Sequence, residues 1–394
     1  LVRRATPGAA AGAPVESLAQ LLGATAEDDR EQVVQTFVRE QIADVLGLEV
    51  AASVDPQAPF LELGFDSLTA LEFRNRLNAA TGLRLTPSVA FDFPTSAALA
   101  THLLSQIEAP EAASVEARSD GLGSLLRIAH AEGRMAEFAE VLSGVAGFRE
   151  RFAKSHLPDS EPYHLRLAAG AASPALVCVP SAAPISGPHE YARLARSFDG
   201  EREAVALRWP GFAKMEPLPE DIEAAFELQA KSIAGAVGRR PYALLGHSTG
   251  GVLAYGMTRY LEQLQVGPAA LVLIDSYHPT QRAIDDPTSL GILERLTQGG
   301  ESGVAIDDAR LTAMAVYLQL LAGVETPPLV CPTLLVRATE PIGGDADEPG
   351  WQARWDVPLD VVDVPGDHLT MVDSCADSTG RAISAWLQTN VAVD

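Results

Sequence analysis

The chain has 394 residues, of which 47% are hydrophobic and 21% charged, and a formal net charge of −23. That length exceeds one ordinary core and suffices for a large domain beside a small one. The acidity excludes a phosphate-backbone partner, which demands a basic face, so no nucleic acid is expected; no apolar run approaches the ~20 residues that cross a bilayer, so no membrane is expected either.

Three widely spaced cysteines, Cys178, Cys331 and Cys375, show neither paired number nor C-x-x-C spacing. They predict reduced thiols in a soluble, cytoplasmic protein, with no disulfide and no metal site. In chain order, residues 1–27 carry two arginines but no apolar core behind them, so they read as the end of something longer rather than a signal peptide. Across 28–46, Val33, Val34, Phe37, Val38, Ile42, Val45 and Leu46 recur at helical spacing behind an acidic start. A loop with Pro56 and Pro59 leads to the string LGFDS, and a second helix is expected over 68–80, closed by Gly82. Pro87 opens a further turn, and Pro94 introduces a helix to about 107. Residues 28–107 therefore predict a small all-α four-helix bundle.

Residues 108–121 are rich in Ala, Glu and Ser and predict a flexible linker, able to span up to about 40 Å at ~3.3–3.6 Å per residue. Residues 122–152 read as two amphipathic helices broken near Gly133, with Leu125, Leu126, Ile128 and Ala129 on the first and Met135, Phe138, Val141 and Leu142 on the second. Such a pair either caps the next domain or offers a face to a second copy. No strand is expected before about Leu165. Short apolar runs then follow at 176–179, 204–207, 242–245, 270–274 and 333–337, with helical patterns between them at 220–237 and 250–264. This alternation predicts an α/β domain over 122–394 with a mainly parallel sheet covered on both faces. An insertion at 279–332, holding a helix over 309–321 and a polar loop over 297–308, is expected to form a lid or channel wall.

The chemistry concentrates at 242–251, YALLGHSTGG, where an apolar strand delivers Ser248 into a Gly-x-Ser-x-Gly turn before a small-residue helix. Gly246 and Gly250 supply room on a strained corner, as a nucleophile elbow requires. A serine hydroxyl needs a base, and a base needs an orienting acid. His368, in VPGDHLTMV, follows a strand-like run and precedes the last helix, which suits the base; adjacent His247 reads as a packing residue, and His102, His130, His156 and His164 as surface or helix residues. Two acids end strands on the right side of the sheet. Asp275 closes ALVLID, and Glu340 follows TLLVRAT; the commoner hydrolase arrangement uses the later strand and so favours Glu340 or Asp345. The oxyanion is expected to meet the backbone N–H of Thr249 and one from the loop after Val179, at Ala182 or Ala183. Ser67 has no histidine or lysine nearby in sequence to activate it, and by itself it suits a helix N-cap.

The string LGFDSLTALEFRNRLNAATGLRLTPSVAFDFPT, within residues 30–105, closely resembles the acyl carrier proteins of modular polyketide synthases. The resemblance implies that Ser67 bears covalent 4'-phosphopantetheine, installed by a phosphopantetheinyl transferase, and that Asp66 marks a polyketide rather than a peptidyl carrier. Residues 122–394 resemble the terminal thioesterases of the same synthases through ISGPHEYARLA at 185–195, GHSTGG, LIDSYHP and PGDHLTMV. That resemblance implies an α/β-hydrolase fold and selects Asp275 as the acid, in the order Ser248, Asp275, His368. It further implies dimerisation through helices in 122–152, upstream synthase domains as partners and a polyketide acyl chain as substrate, with 1–27 the tail of an upstream modifying domain. The expected activity is release of the chain by macrolactonisation, with hydrolysis to a linear acid the alternative and a non-catalytic carrier or docking module the alternative of another class. Two positions depart from the pattern: Thr249 stands where alanine is frequent, and Pro184 lies in the oxyanion loop.

Overall fold

In the computed structural model the described residues are 18, 22, 25, 29–46, 51, 54–58, 60, 63, 65, 67–83, 85, 89–93, 95–108, 121–158, 163–280, 307–342 and 351–391. They fall into two compact units, Leu1–Ala113 and Ser114–Asp394.

The first unit is helical: α1 (Arg30–Leu46), α2 (Ser67–Thr81), the single turn α3 (Val89–Asp92) and α4 (Ser96–Glu108). The periodic apolar residues of α1, Val34, Phe37, Val38 and Ile42, are buried with Leu77, Leu99 and Leu103 from α2 and α4. Phe60, Phe65 and Phe73 interlock with ring centroids 5.1 to 5.5 Å apart, fixing the segment ahead of α2 against its first turns. Gly82, at φ +71°, ends α2 in the left-handed conformation that glycine adopts without strain.

The second unit opens with α5 (Leu122–Ala131) and α6 (Met135–Ala146). Where no strand was expected, residues Arg151–Phe152 (β1) form a two-residue parallel ladder with Leu218–Pro219 (β5); so short a ladder has no period to read. The main sheet comprises β2 (His164–Ala168), β3 (Ala172–Val179), β4 (Arg202–Leu207), β6 (Tyr242–His247), β7 (Ala270–Ile274), β8 (Thr333–Ala338) and β9 (Asp360–Val364) in the order β2-β4-β3-β6-β7-β8-β9. Only β2 runs antiparallel to its neighbour; the other pairings are parallel. Remaining helices are α7 (Ala192–Arg196), α8 (Ile222–Val237), α9 (Thr249–Gln263), α10 (Asp308–Leu321) and α11 (Ala376–Asn390).

Successive strand residues divide between two cores, which is why the strands read as continuous apolar runs. Val177, Leu244 and Leu273 face one layer with α5, α6, α8, α9 and α10, whereas Cys178, Leu245 and Val272 face the other with α7 and α11. The helical pair docks on the first layer through Leu122, Leu126, Phe138 and Leu142 and leaves Leu125, Ile128, Val141, Val145 and Phe148 exposed. Arg149 ties its end to α10 and the loop before β5, donating to the Ala309 carbonyl, the Thr312 hydroxyl and the Glu216 carbonyl. The lid expected over 279–332 lies partly outside the described residues, since only 279–280 and 307–332 are described. No described helix is long and apolar enough to cross a membrane, and the described residues hold no cluster of three or more potential metal ligands.

Candidate active site

The segments after β6, β7 and β9 build the site. β6 runs into Ser248, whose backbone sits at φ +56°, ψ −131°, and α9 begins at the next residue. A Cβ on Gly246 would overlap the Gly250 carbonyl, and one on Gly250 would overlap the Val179 carbonyl. The two glycines thus allow strand and helix to meet closely enough to force the corner. The Ser248 N–H donates to the Ile274 carbonyl at 3.1 Å, and the Ser276 hydroxyl donates to the Ser248 carbonyl at 2.7 Å, so the elbow is pinned to the end of β7.

Asp275 follows β7 at φ +41°, and its N–H donates to the Val336 carbonyl at 2.7 Å. Its Oδ2 lies 2.8 Å from Nδ1 of His368, and its Oδ1 accepts the Ala338 N–H at 3.2 Å. The Asp275 residue is 1% exposed and His368 3%. Burial alone would push the Asp275 carboxyl up, but its hydrogen bond to His368, that ring's positive charge and the Ala338 N–H outweigh it and hold the carboxyl below the usual range. The carboxylate therefore favours the His368 tautomer with hydrogen on Nδ1, which puts the ring's lone pair on Nε2. His368 sits in a loop that braces itself: Oδ1 of Asp367 accepts from the Leu369 and Thr370 N–H groups and from the Thr370 hydroxyl. Glu340, the rival acid, is exposed, and Asp345 lies outside the described residues.

The loop after β3 carries the oxyanion candidates. Thr249 opens α9, where a helix leaves its first N–H groups unpaired. The Ala182 N–H, by contrast, is already engaged, donating to the Thr249 hydroxyl at 2.9 Å; the Ala183 N–H makes only a long 3.4 Å contact with the Ser181 hydroxyl. The two alanines, expected on equal terms, therefore differ in their present partners, because Thr249 supplies an acceptor for one of them. The guanidinium of Arg310, on α10, donates to the Pro184 and Ser186 carbonyls at 3.3 and 3.1 Å and anchors the same loop.

His247 is more than packing. Its Nδ1 lies 2.9 Å from Oε1 of Glu190 and its Nε2 2.7 Å from the His368 carbonyl. Burial would lower its pKa, but hydrogen bonding to the Glu190 carboxylate, that residue's charge, the His368 carbonyl and Asp275 raise it. Glu190, Arg310 and the polar role of His247 escaped the sequence reading because their partners lie 57, 124 and 121 residues away. A carboxylate inside the apolar stretch GPHEYARLA was the one available signal for Glu190.

In the other unit Ser67 is the first residue of the 15-residue α2. A phosphodiester on a residue at a helix N-terminus stands where unpaired N–H groups and the helix dipole favour negative charge, so the position fits 4'-phosphopantetheine.

Residues 174–387 match the thioesterase domain family, and residues 36–103 match the phosphopantetheine attachment site family. Spectinabilin polyketide synthase system protein NorC of Streptomyces orinoci is 38% identical over 393 residues, covering 96% of this chain and 17% of that protein. Erythronolide synthase EryA3 of Saccharopolyspora erythraea is 36% identical over 371 residues, covering 92% of this chain and 11% of that protein. The chain thus spans 17% and 11% of the length of these two curated relatives. A solved NocB thioesterase domain from the nocardicin cluster shares 21% identity with a TM-score of 0.45, covering 58% of this chain and 100% of that one.

Proposed function

Since the chain belongs to the thioesterase domain family and carries a phosphopantetheine attachment domain ahead of it, we propose that it releases a finished acyl chain from a modular polyketide synthase. The observation that carries the reading is the buried Asp275–His368 hydrogen bond at the strand end beside the Ser248 elbow. We assign Ser67 as the attachment residue. When bound, the phosphopantetheine group supplies a thiol that presents the acyl chain as a thioester.

Nε2 of His368 takes the Ser248 proton as the hydroxyl oxygen attacks the thioester carbonyl, and Asp275 stabilises the imidazolium that forms. The developing oxyanion is met by the backbone N–H groups of Thr249 and Ala183. His368 then returns the proton to the departing thiolate, leaving the chain as an oxyester on Ser248. A hydroxyl of the same chain, giving its proton to His368, attacks the oxyester; His368 passes that proton to Oγ of Ser248 as the ester bond breaks, and a macrolactone closes. Cyclisation requires a site that excludes solvent and holds the chain folded, since only then does an intramolecular hydroxyl outcompete water. The exposed face of α5 and α6, Leu125, Ile128, Val141, Val145 and Phe148, supports pairing with a second copy.

The test is a synthetic hydroxyacyl thioester followed by mass spectrometry. An adduct on Ser248 and a dehydrated cyclic product are expected; a linear acid would replace cyclisation by hydrolysis, and turnover undiminished in Ser248→Ala would sink the assignment of the nucleophile.

A further inference from the structure

Glu190 and His247 form a polar bridge that the Ser248, Asp275, His368 chemistry does not use. Glu190 belongs to the 3-10 turn Pro188–Tyr191, just ahead of α7, and His247 is the last residue of β6. Their side chains are 11% and 6% exposed. The two carboxylate oxygens of Glu190 point to different partners: Oε2 accepts the Ser181 N–H at 3.2 Å, and Oε1 faces Nδ1 of His247 at 2.9 Å. On its far side His247 meets the carbonyl of His368 at 2.7 Å through Nε2. A carbonyl can only accept, so Nε2 carries a hydrogen, and the ring presents Nδ1 to a carboxylate. The continuous path is therefore Ser181 N–H, Glu190, His247, His368 C=O. It starts in the loop that holds Ala182 and Ala183 and ends on the backbone of the base.

We propose that Glu190 and His247 are positioning residues, a buried polar bridge that locks the oxyanion loop to the loop carrying His368. This rests on the reading of Ser248, Asp275 and His368 as the reacting groups. Two observations separate it from ordinary core packing. A buried carboxylate and imidazole cost desolvation that an apolar pair of similar size would avoid, and here both spend their hydrogen bonds on the backbone of the two loops that catalysis must register. The rings of His247 and His368 also lie 4.6 Å apart, within the range where one charge governs the other's protonation. The groups facing this pair are Glu190 and Tyr191 from the 3-10 turn, Asp275 after β7, Tyr277 beyond it, and Asp367 next to His368; the Tyr191 hydroxyl accepts the His247 N–H at 2.8 Å and donates to the Val179 carbonyl at 2.6 Å. Asp275 favours a proton on His368, and any positive charge on His247 opposes one.

The experiment uses the full chain in four variants. His247→Gln keeps a donor toward the His368 carbonyl, His247→Asn keeps one toward Glu190, and Glu190→Gln keeps the shape of the carboxylate without its charge. Asp221→Ala, which removes the N-cap hydrogen bond to Ala224 on α8, serves as a comparator for lost stability alone. A fluorophosphonate first titrates Ser248; a hydroxyacyl thioester then gives kcat and KM across pH, and thermal unfolding reports the fold. Glu190→Gln and His247→Asn are expected to lose about 10- to 100-fold in kcat at the pH plateau, the cost of misplacing the base, with KM within about twofold. His247→Gln is expected to lose less. In both His247 variants the acid limb of kcat/KM moves to higher pH, because a ring able to carry positive charge beside His368 is gone.

Plateau kcat within twofold of wild type in Glu190→Gln and His247→Asn would overturn the proposal. So would losses that track the fall in thermal stability, as in Asp221→Ala, with an acid limb that stays in place. A wild-type chain in which the fluorophosphonate leaves Ser248 unlabelled would overturn the reading of the site and this proposal together, whereas labelling at full rate with unaffected variants overturns this proposal alone.

Discussion

Ser248 is a residue whose backbone stores strain, and replacing it tests whether that strain serves the chemistry. At φ +56° and ψ −131° it occupies a region that a residue with a Cβ enters at a cost of about 1–3 kcal/mol. Glycine enters it freely, but a glycine also gives the unfolded chain extra freedom worth ~0.5–1 kcal/mol. Ser248→Gly should therefore stabilise the second unit by up to about 2.5 kcal/mol net. At ~2–4 °C per kcal/mol for a domain of this size, the midpoint rises by up to about 10 °C. Ser248→Ala keeps the Cβ and the strain, so it should lose activity without that gain. Scanning calorimetry on the two variants beside wild type separates relief of strain from loss of the hydroxyl. A midpoint for Ser248→Gly at or below that of Ser248→Ala would refute the argument that the elbow is strained, whatever happened to turnover.

Asp275→Asn should preserve the fold and lower kcat by about 10³- to 10⁴-fold with little change in KM, since the carboxylate sets the His368 tautomer and stabilises its protonated form; steady-state kinetics on a thioester would read this, and a loss under tenfold would return the role to Glu340 or Asp345. Stability should fall at both ends of the pH range. Asp275 has its folded pKa lowered, so its contribution is present above its unfolded value near 3.8 and disappears as pH drops through the folded one. His247 has its folded pKa raised, so its contribution is complete below about 6.5 and disappears as pH rises through the folded value. A melting midpoint that declines above pH ~6.5 in wild type but not in His247→Gln is the expected result, and a decline that persists unchanged would assign it elsewhere. Thr249→Ala removes the acceptor of the Ala182 N–H and should cost about 0.5–1.5 kcal/mol of stability. Its kcat should fall by less than tenfold, because the backbone donor at 249 remains; calorimetry and turnover on the same preparation check both.

The elements that could be read from sequence are those whose residues face one environment along their length. β7 is buried on both faces, and all five of its residues are apolar, so its bounds follow from the run itself. β3 extends four residues earlier than its apolar run, because Ala172 pairs with Arg202 and the register then shifts before Leu176, a stretch without an apolar pattern. β1 and β5 are ladders of two residues, too short for any period. In the site, Ser248, Asp275 and His368 each end a strand or follow one, and a strand end is a local feature. Asp275 could be separated from Glu340 only by resemblance, since both close strands of the same sheet; the hydrogen bond to His368 is a relation between loops 93 residues apart. Glu190 and His247 were opaque for the same reason, as their meaning lies in what they join.

The two departures from the thioesterase pattern belong to one rearranged loop. Thr249 introduces a hydroxyl that takes the Ala182 N–H, and Pro184 removes an N–H two residues later while its carbonyl accepts from Arg310. Proline lacks a donor and restricts φ, so a loop holding it has fewer conformations and one fewer N–H to satisfy. Around it, Trp209 donates to the Pro180 carbonyl at 2.8 Å, Glu190 accepts the Ser181 N–H and the Arg310 guanidinium spans the carbonyls of Pro184 and Ser186. Side chains from outside the loop thus hold the Ser181 and Ala182 N–H groups and the carbonyls of Pro180, Pro184 and Ser186, whereas the Ala183 N–H makes only the long contact with Ser181. A donor held only loosely in the resting protein is the one that can turn to a developing negative charge without breaking a strong bond. In the proposed mechanism that donor and the Thr249 N–H meet the developing oxyanion, while the Glu190 and Arg310 contacts hold the rest of the loop in place.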